Sequence, residues 1–138
     1  MVVPKNLHRE MVDHCRRGLP NEACGFLAGR DGTAERIYPL TNAAASPVYY
    51  RPADKEMLAA MNEIDARGLE LVAIFHSHVA SRAYPSPTDV REAHYPDSVY
   101  VIVSMAQTDR PEARGYLIKK QDWRDEHGDV EEIDLVLS

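Results

Sequence analysis

Leu7, Met11, Val12 and Cys15 recur at three- and four-residue steps, which predicts an amphipathic helix over residues 5–17 that Gly18 stops. Pro20 and Asn21 turn the chain, and Ala23 to Ala28 reads as a short buried strand. Asp31-Gly32 suits the positive φ of a tight turn, so residues 34–40 should return as the hairpin partner. Turn formers crowd the stretch from Asn42 to Pro52, leaving Tyr49-Tyr50 as a candidate short strand there. A second helix is predicted over Asp54 to Arg67, where Met57, Leu58, Met61 and Ile64 keep the helical step and Gly68 can cap the end. Leu69 to Phe75 is mostly apolar, the pattern of a strand buried on both faces. Ser98–Ser104, Arg114–Lys119 and, with imperfect alternation, Val130–Leu137 read as further strands. Two or three helices and about six strands thus share one domain, with no internal repeat and no long linker.

A chain of 138 residues is long enough for one domain with its own core, and 44% hydrophobic with 28% charged residues places it in the globular class. The formal charge of −6, with no cluster of lysines and arginines, argues against a nucleic-acid surface. No apolar stretch approaches the roughly 20 residues that span a bilayer. Met1-Val2-Val3-Pro4-Lys5 lacks the basic-then-apolar pattern of a signal peptide, so no membrane partner and a cytoplasmic location are expected. Cys15 and Cys24 are too few for a disulfide framework and form no Cys-x-x-Cys pair; both read as small buried residues.

The chemistry begins where His76-Ser77-His78 closes the apolar run. Residues i and i+2 of a strand face the same way, so His76 and His78 can converge if the extended backbone continues past Phe75. Asp89 can fold back from the loop that follows. Two imidazoles and one carboxylate leave a tetrahedral ion one open position for water, the mark of a catalytic rather than a structural site. Zinc suits this donor set best, and manganese or iron could substitute. A structural reading competes for Asp89: Ser86-Pro87-Thr88-Asp89 has the form of a capping box opening a helix to about Tyr95. The two readings can share one backbone. Glu22, between turn residues and a strand, is the candidate general base, although taken alone it reads as a solvated strand-end acid. The Ser86 hydroxyl could donate to an oxyanion.

Taken together, Glu22, His76-x-His78, seven residues, Ser86, two residues and Asp89 resemble the JAMM motif of the MPN-plus metalloproteases, which include deubiquitinating isopeptidases. Pro20 to Gly29 is similar to the segment around the catalytic glutamate in the small bacterial members. The resemblance implies one metallopeptidase domain over residues 1–138, an α/β cytidine-deaminase-like fold with a mixed central sheet flanked by helices. It implies Zn2+ held by His76, His78 and Asp89, with Glu22 as general acid/base and Ser86 stabilising the tetrahedral intermediate. Val79 stands where many members have proline, a departure expected to loosen the following loop. The Pro-Cys-x-x-Cys pair of the zinc deaminases is absent, which disfavours base deamination.

Small bacterial members are associated with ubiquitin-like sulfur-carrier proteins ending in Gly-Gly. Some release cysteine from a carrier–cysteine adduct in cysteine biosynthesis, and others trim a carrier to expose its diglycine. The implied function is therefore a zinc-dependent hydrolase of the amide or isopeptide bond after that Gly-Gly. Arg82, in the Val79–Pro85 loop, could read a carboxylate on the departing group. The alternatives are a non-catalytic MPN-type binding scaffold, a small-molecule metal-dependent amidase and a cysteine hydrolase using Cys24. Tyr116 and Trp123 read as packing residues, His94 as a helix-face residue, and Asp122, Asp125, Glu126 and Asp129 as solvated acidic surface. Oligomeric state is not written in the sequence.

Overall fold

The structure is a computed structural model describing residues 1–138. In chain order it contains β1 (Val2–Val3), α1 (Lys5–Gly18), β2 (Cys24–Arg30), β3 (Thr33–Leu40), α2 (Asp54–Ala66), β4 (Glu70–His78), α3 (Pro87–Arg91), β5 (Val99–Ser104), β6 (Glu112–Lys119), β7 (Asp129–Ile133) and β8 (Val136–Leu137). The periodic segments become the elements they predict. α1 buries Leu7, Met11, Val12 and Cys15, and its basic last turn, Arg16 and Arg17, complements the negative end of the helix dipole. The β2–β3 hairpin turns through Asp31 and Gly32, whose φ values are 53° and 74°.

The strands form one eight-stranded mixed sheet in the order β7-β6-β5-β4-β2-β3-β1-β8. β4 lies antiparallel to β2 and parallel to β5, with Cys24 opposite His76 and Ser104 opposite His78. This register brings the start of β2 and the ends of β4 and β5 to one end of the sheet. Each face has its own core. Met11 and Cys15 of α1 pack with Leu27, Phe75, Val101 and Val103 on one side, while Ala60 and Ile64 of α2 pack with Phe26, Ile74 and Tyr100 on the other. Successive β4 side chains alternate between the two, so His76 and His78, in phase with Ile74, leave the sheet on the α2 side.

The cytidine-deaminase-like fold is corrected by the way the sheet ends. The stretch expected as one strand, Val130–Leu137, splits into β7 and β8, which occupy opposite edges of the sheet. Laid flat, eight strands would hold those edges roughly 34 Å apart. The chain from Ile133 to Val136 can span at most about 11 Å. The sheet must therefore curl until its edges approach. Leu135, in the joint, and Met1, beside it, pack into the α1 core, so α1 fills the concave side. A mixed sheet flanked by helices is present, but it is a curled half-barrel.

Two smaller expectations also change. Tyr49-Tyr50 forms no strand; the loop is closed instead by an isolated bridge between Asn42 and Pro52. The short helix α3 stops at Arg91, not Tyr95, because the Tyr95 N–H donates to the Tyr100 hydroxyl at 3.1 Å and Pro96 follows.

Candidate metal centre

β4 keeps its extended geometry through His78, and both imidazoles are buried where they leave the sheet, at 1% and 5% exposure. Asp89 comes to them from α3. His76 Nε2 lies 3.2 Å from His78 Nε2 and 3.2 Å from Asp89 Oδ2, and His78 Nε2 lies 2.9 Å from the same oxygen. Three ligands at about 2.0–2.1 Å from one tetrahedral ion stand roughly 3.3 Å from each other, so the observed triangle fits a zinc ion. The donor chemistry agrees. His78 Nδ1–H donates to the Arg82 carbonyl at 2.9 Å, which leaves the neutral ring's Nε2 lone pair facing a carboxylate oxygen. Two acceptors at that distance require a cation between them, either a proton or a metal.

The titration behaviour expresses the same demand for positive charge. Burial alone would raise the Asp89 pKa, yet hydrogen bonds with His76, His78 and the Ser86 N–H hold it well below the usual carboxylate range. Burial would lower that of His78, but Asp89 and the Arg82 carbonyl raise it.

Asp89 is aimed by the capping box that the sequence offered. Ser86 N–H donates to Asp89 Oδ2 at 2.9 Å, and Asp89 N–H donates to Ser86 Oγ at 3.1 Å. The carboxylate that caps α3 is therefore the one that faces the two imidazoles. The Ser86 hydroxyl accepts through its oxygen and meets no acceptor in the chain for its own proton.

Loop 79–85, which opens on Val79, is hydrogen-bonded to the neighbouring strands. Three consecutive carbonyls are each captured by a strand residue: Ser81 by the Ser104 hydroxyl, Arg82 by His78 and Ala83 by the Tyr116 hydroxyl. These three bonds tie the stretch that follows Val79 to β4, β5 and β6.

Glu22 precedes β2 at the same sheet end and is buried, 7% exposed. Its N–H donates to the Ser46 carbonyl at 2.9 Å and its carbonyl accepts from Asn42 Nδ2 at 2.9 Å. No hydrogen bond or ion pair engages its carboxylate, and a cavity of about 440 Å³ lined by His14, Asn42 and Glu56 opens beside it. Burial pushes its pKa up to about 7, with His78 pulling it down and Asp89 pushing it up; the register that sets Cys24 opposite His76 brings Glu22 to the sheet end that carries His78. Sequence reasoning missed Asn42 and Tyr50. Asn42 spends both amide hydrogens on Glu22 and Tyr49 carbonyls and accepts from the Ala44 and Arg51 N–H groups. Tyr50 stacks on His76, ring centroids 4.4 Å apart. Only the crowding of turn formers signalled this loop.

Cys24 is fully buried, and burial first, then Glu56 and Glu22, pushes its thiol up to about 12. The nearby His14 Nε2 bonds the Cys24 carbonyl at 2.9 Å. Burial favours the protonated thiol and no base is bonded to it, which disfavours the cysteine-hydrolase alternative. Tyr116 is buried as expected, whereas Trp123 is 61% exposed and meets His94 edge-on at 5.4 Å. His94 itself stands outside the cluster.

The model of the family described as prokaryotic homologs of the JAB domain matches residues 4–124. The chain belongs to this family. A CysO-cysteine peptidase of Mycobacterium tuberculosis is 44% identical over 120 residues, covering 86% of this chain and 82% of the relative. A protein from Desulfitobacterium hafniense, solved in solution, superposes with a TM-score of 0.85 at 38% identity, covering 99% of this chain and 92% of that one. A JAB1/MPN-domain protein from Archaeoglobus fulgidus shares the fold alone, with TM-score 0.59 and 14% identity over 100% of this chain and 96% of its own. The curled sheet is thus the JAB/MPN fold, in place of the deaminase-like one. No helix of this JAB-family chain is long and apolar enough to cross a membrane.

Proposed function

We propose that this chain, read as one domain over residues 1–138, is a zinc-dependent hydrolase. Its substrate is the amide or isopeptide bond after the C-terminal Gly-Gly of a ubiquitin-like sulfur-carrier protein, and a carrier–cysteine adduct suits it best. The observation that carries the reading is the His76, His78 and Asp89 triangle with the buried, unpartnered Glu22 carboxylate beside it. Kinship to the CysO-cysteine peptidase supports the choice of substrate.

His76, His78 and Asp89 would hold the ion, which supplies Lewis acidity and an activated water. Glu22 takes the proton of the attacking water and passes it to the departing nitrogen. Burial disfavours the charged form of this carboxylate and so raises its affinity for the proton it takes and hands on. The Ser86 hydroxyl, its oxygen occupied by the Asp89 N–H, has its proton free for the oxyanion. Tyr50, stacked on His76, shields that ligand from water.

The test is zinc-loaded protein offered carriers extended after Gly-Gly by cysteine, by a longer peptide or through a lysine side chain, with products weighed by mass spectrometry. Glu22→Gln should keep its zinc and lose cleavage by about 100-fold or more. Unchanged function in that variant supports the binding-scaffold alternative, and cleavage of small amides alone supports an amidase.

A further inference from the structure

One strand over from the cluster, a second cavity of about 250 Å³ is walled by Arg82, Ser104, Gln107, Arg110 and Glu112. Ser104 pairs with His78 across β4 and β5, so the two side chains leave the sheet on one face. Arg82 joins the two places: its carbonyl receives the His78 Nδ1–H, and its side chain lines the cavity. Neither Arg82 nor Arg110 has an acidic partner, while Glu112, the one acid in the wall, is held by Arg114.

The Arg82 guanidinium is arranged in advance, and so is the backbone that carries Arg110. The Arg82 guanidinium lies 4.8 Å from the Tyr84 ring centroid, Tyr84 meets Tyr116 edge-on at 5.4 Å, and the Tyr116 hydroxyl donates to the Ala83 carbonyl. The turn carrying Arg110 is closed by its N–H on the Gln107 carbonyl at 2.9 Å and tied to α1 by Arg16 on the Thr108 carbonyl at 3.1 Å. Stacking occupies the face of a guanidinium and leaves its edge donors free for a planar anion such as a carboxylate.

We propose that Arg82 and Arg110 bind the free α-carboxylate of the amino acid that departs when the bond after Gly-Gly is hydrolysed. The inference rests on the proposed hydrolase reading and narrows its leaving group. A single C-terminal amino acid carries its carboxylate two bonds from the scissile nitrogen, and the cavity adjoins the cluster through Arg82 and Ser104. A lysine linked through its side chain presents no carboxylate at that distance. The pair would therefore favour release of one residue over cleavage of an isopeptide.

The experiment uses zinc-loaded protein and carrier-tail peptides ending Gly-Gly-Cys, as the free acid and as the C-terminal amide. The acid should be cleaved with at least about tenfold higher kcat/KM, and that ratio should collapse towards one in the Arg82→Gln, Arg110→Gln double variant. Equal cleavage of acid and amide by the natural chain overturns the proposal. So does a double variant that loses both substrates alike, which would mean the arginines read acidic groups on the carrier. If neither peptide is cut, the hydrolase reading has failed, and the cavity is judged by NMR. L-serine, but not L-serinamide, should shift the Arg82 and Arg110 Nε–H resonances; no difference between the two overturns the site.

Discussion

Ala23 and Ser77 grip each other twice: the Ala23 N–H donates to Ser77 Oγ at 2.8 Å, and the Ser77 N–H donates to the Ala23 carbonyl at 2.9 Å. The residue after Glu22 is thereby fastened to the residue between the two histidines, fixing the proposed base against the proposed metal ligands. Ser77→Ala leaves a buried N–H without its acceptor, a loss of about 1–3 kcal/mol. Urea unfolding should show that loss together with a lower kcat; full activity would remove the bracing role.

Glu22 makes stability depend on pH. In the unfolded chain its carboxyl loses its proton near 4.5, whereas the folded, metal-free protein keeps it to about 7. The folded state holds the extra proton between those values, so stability falls as pH rises through that window and the whole penalty stands above it. Glu22→Gln should therefore stabilise the metal-free protein by about 1–3 kcal/mol at pH 8 and by almost nothing at pH 4. A gain equal at both pH values would contradict the burial argument.

Zinc should stabilise the folded chain, because an unfolded chain does not assemble the triangle. At a thousandfold excess over Kd the gain is about 4 kcal/mol, a rise in Tm of roughly 10 °C for a chain of this size. Chelator should reverse it, and His78→Ala should abolish it. A Tm indifferent to zinc would sink the metal assignment.

Tyr116→Phe frees the Ala83 carbonyl and slackens the loop whose preceding carbonyl, that of Arg82, orients His78. Support of this kind is worth about 10–100-fold in metal affinity, so zinc competition should show weaker binding with the fold intact. Unaltered affinity would confine Tyr116 to packing.

What the sequence disclosed was what local periodicity or short spacing encodes. The α1 stripe, the extent of α2, the Asp31-Gly32 turn, the His76 and His78 phase and the Ser86–Asp89 cap each depend on residues a few positions apart, although Leu58 of the α2 pattern stands 63% exposed. Asn42 and Tyr50 were hidden because their partners, Glu22 and His76, are distant in the chain. Alternation running through Asp134-Leu135 concealed the break between β7 and β8, and with it the curl of the sheet. Resemblance in a five-residue motif carried the chemistry further than the architecture.

Asp89 Oδ2 both closes the start of α3 and faces the two imidazoles. A helix of five residues has too few internal bonds to persist by itself. Its order is consequently tied to whatever the carboxylate binds, and amide exchange along Pro87–Arg91 would serve as a remote gauge of occupancy at the centre.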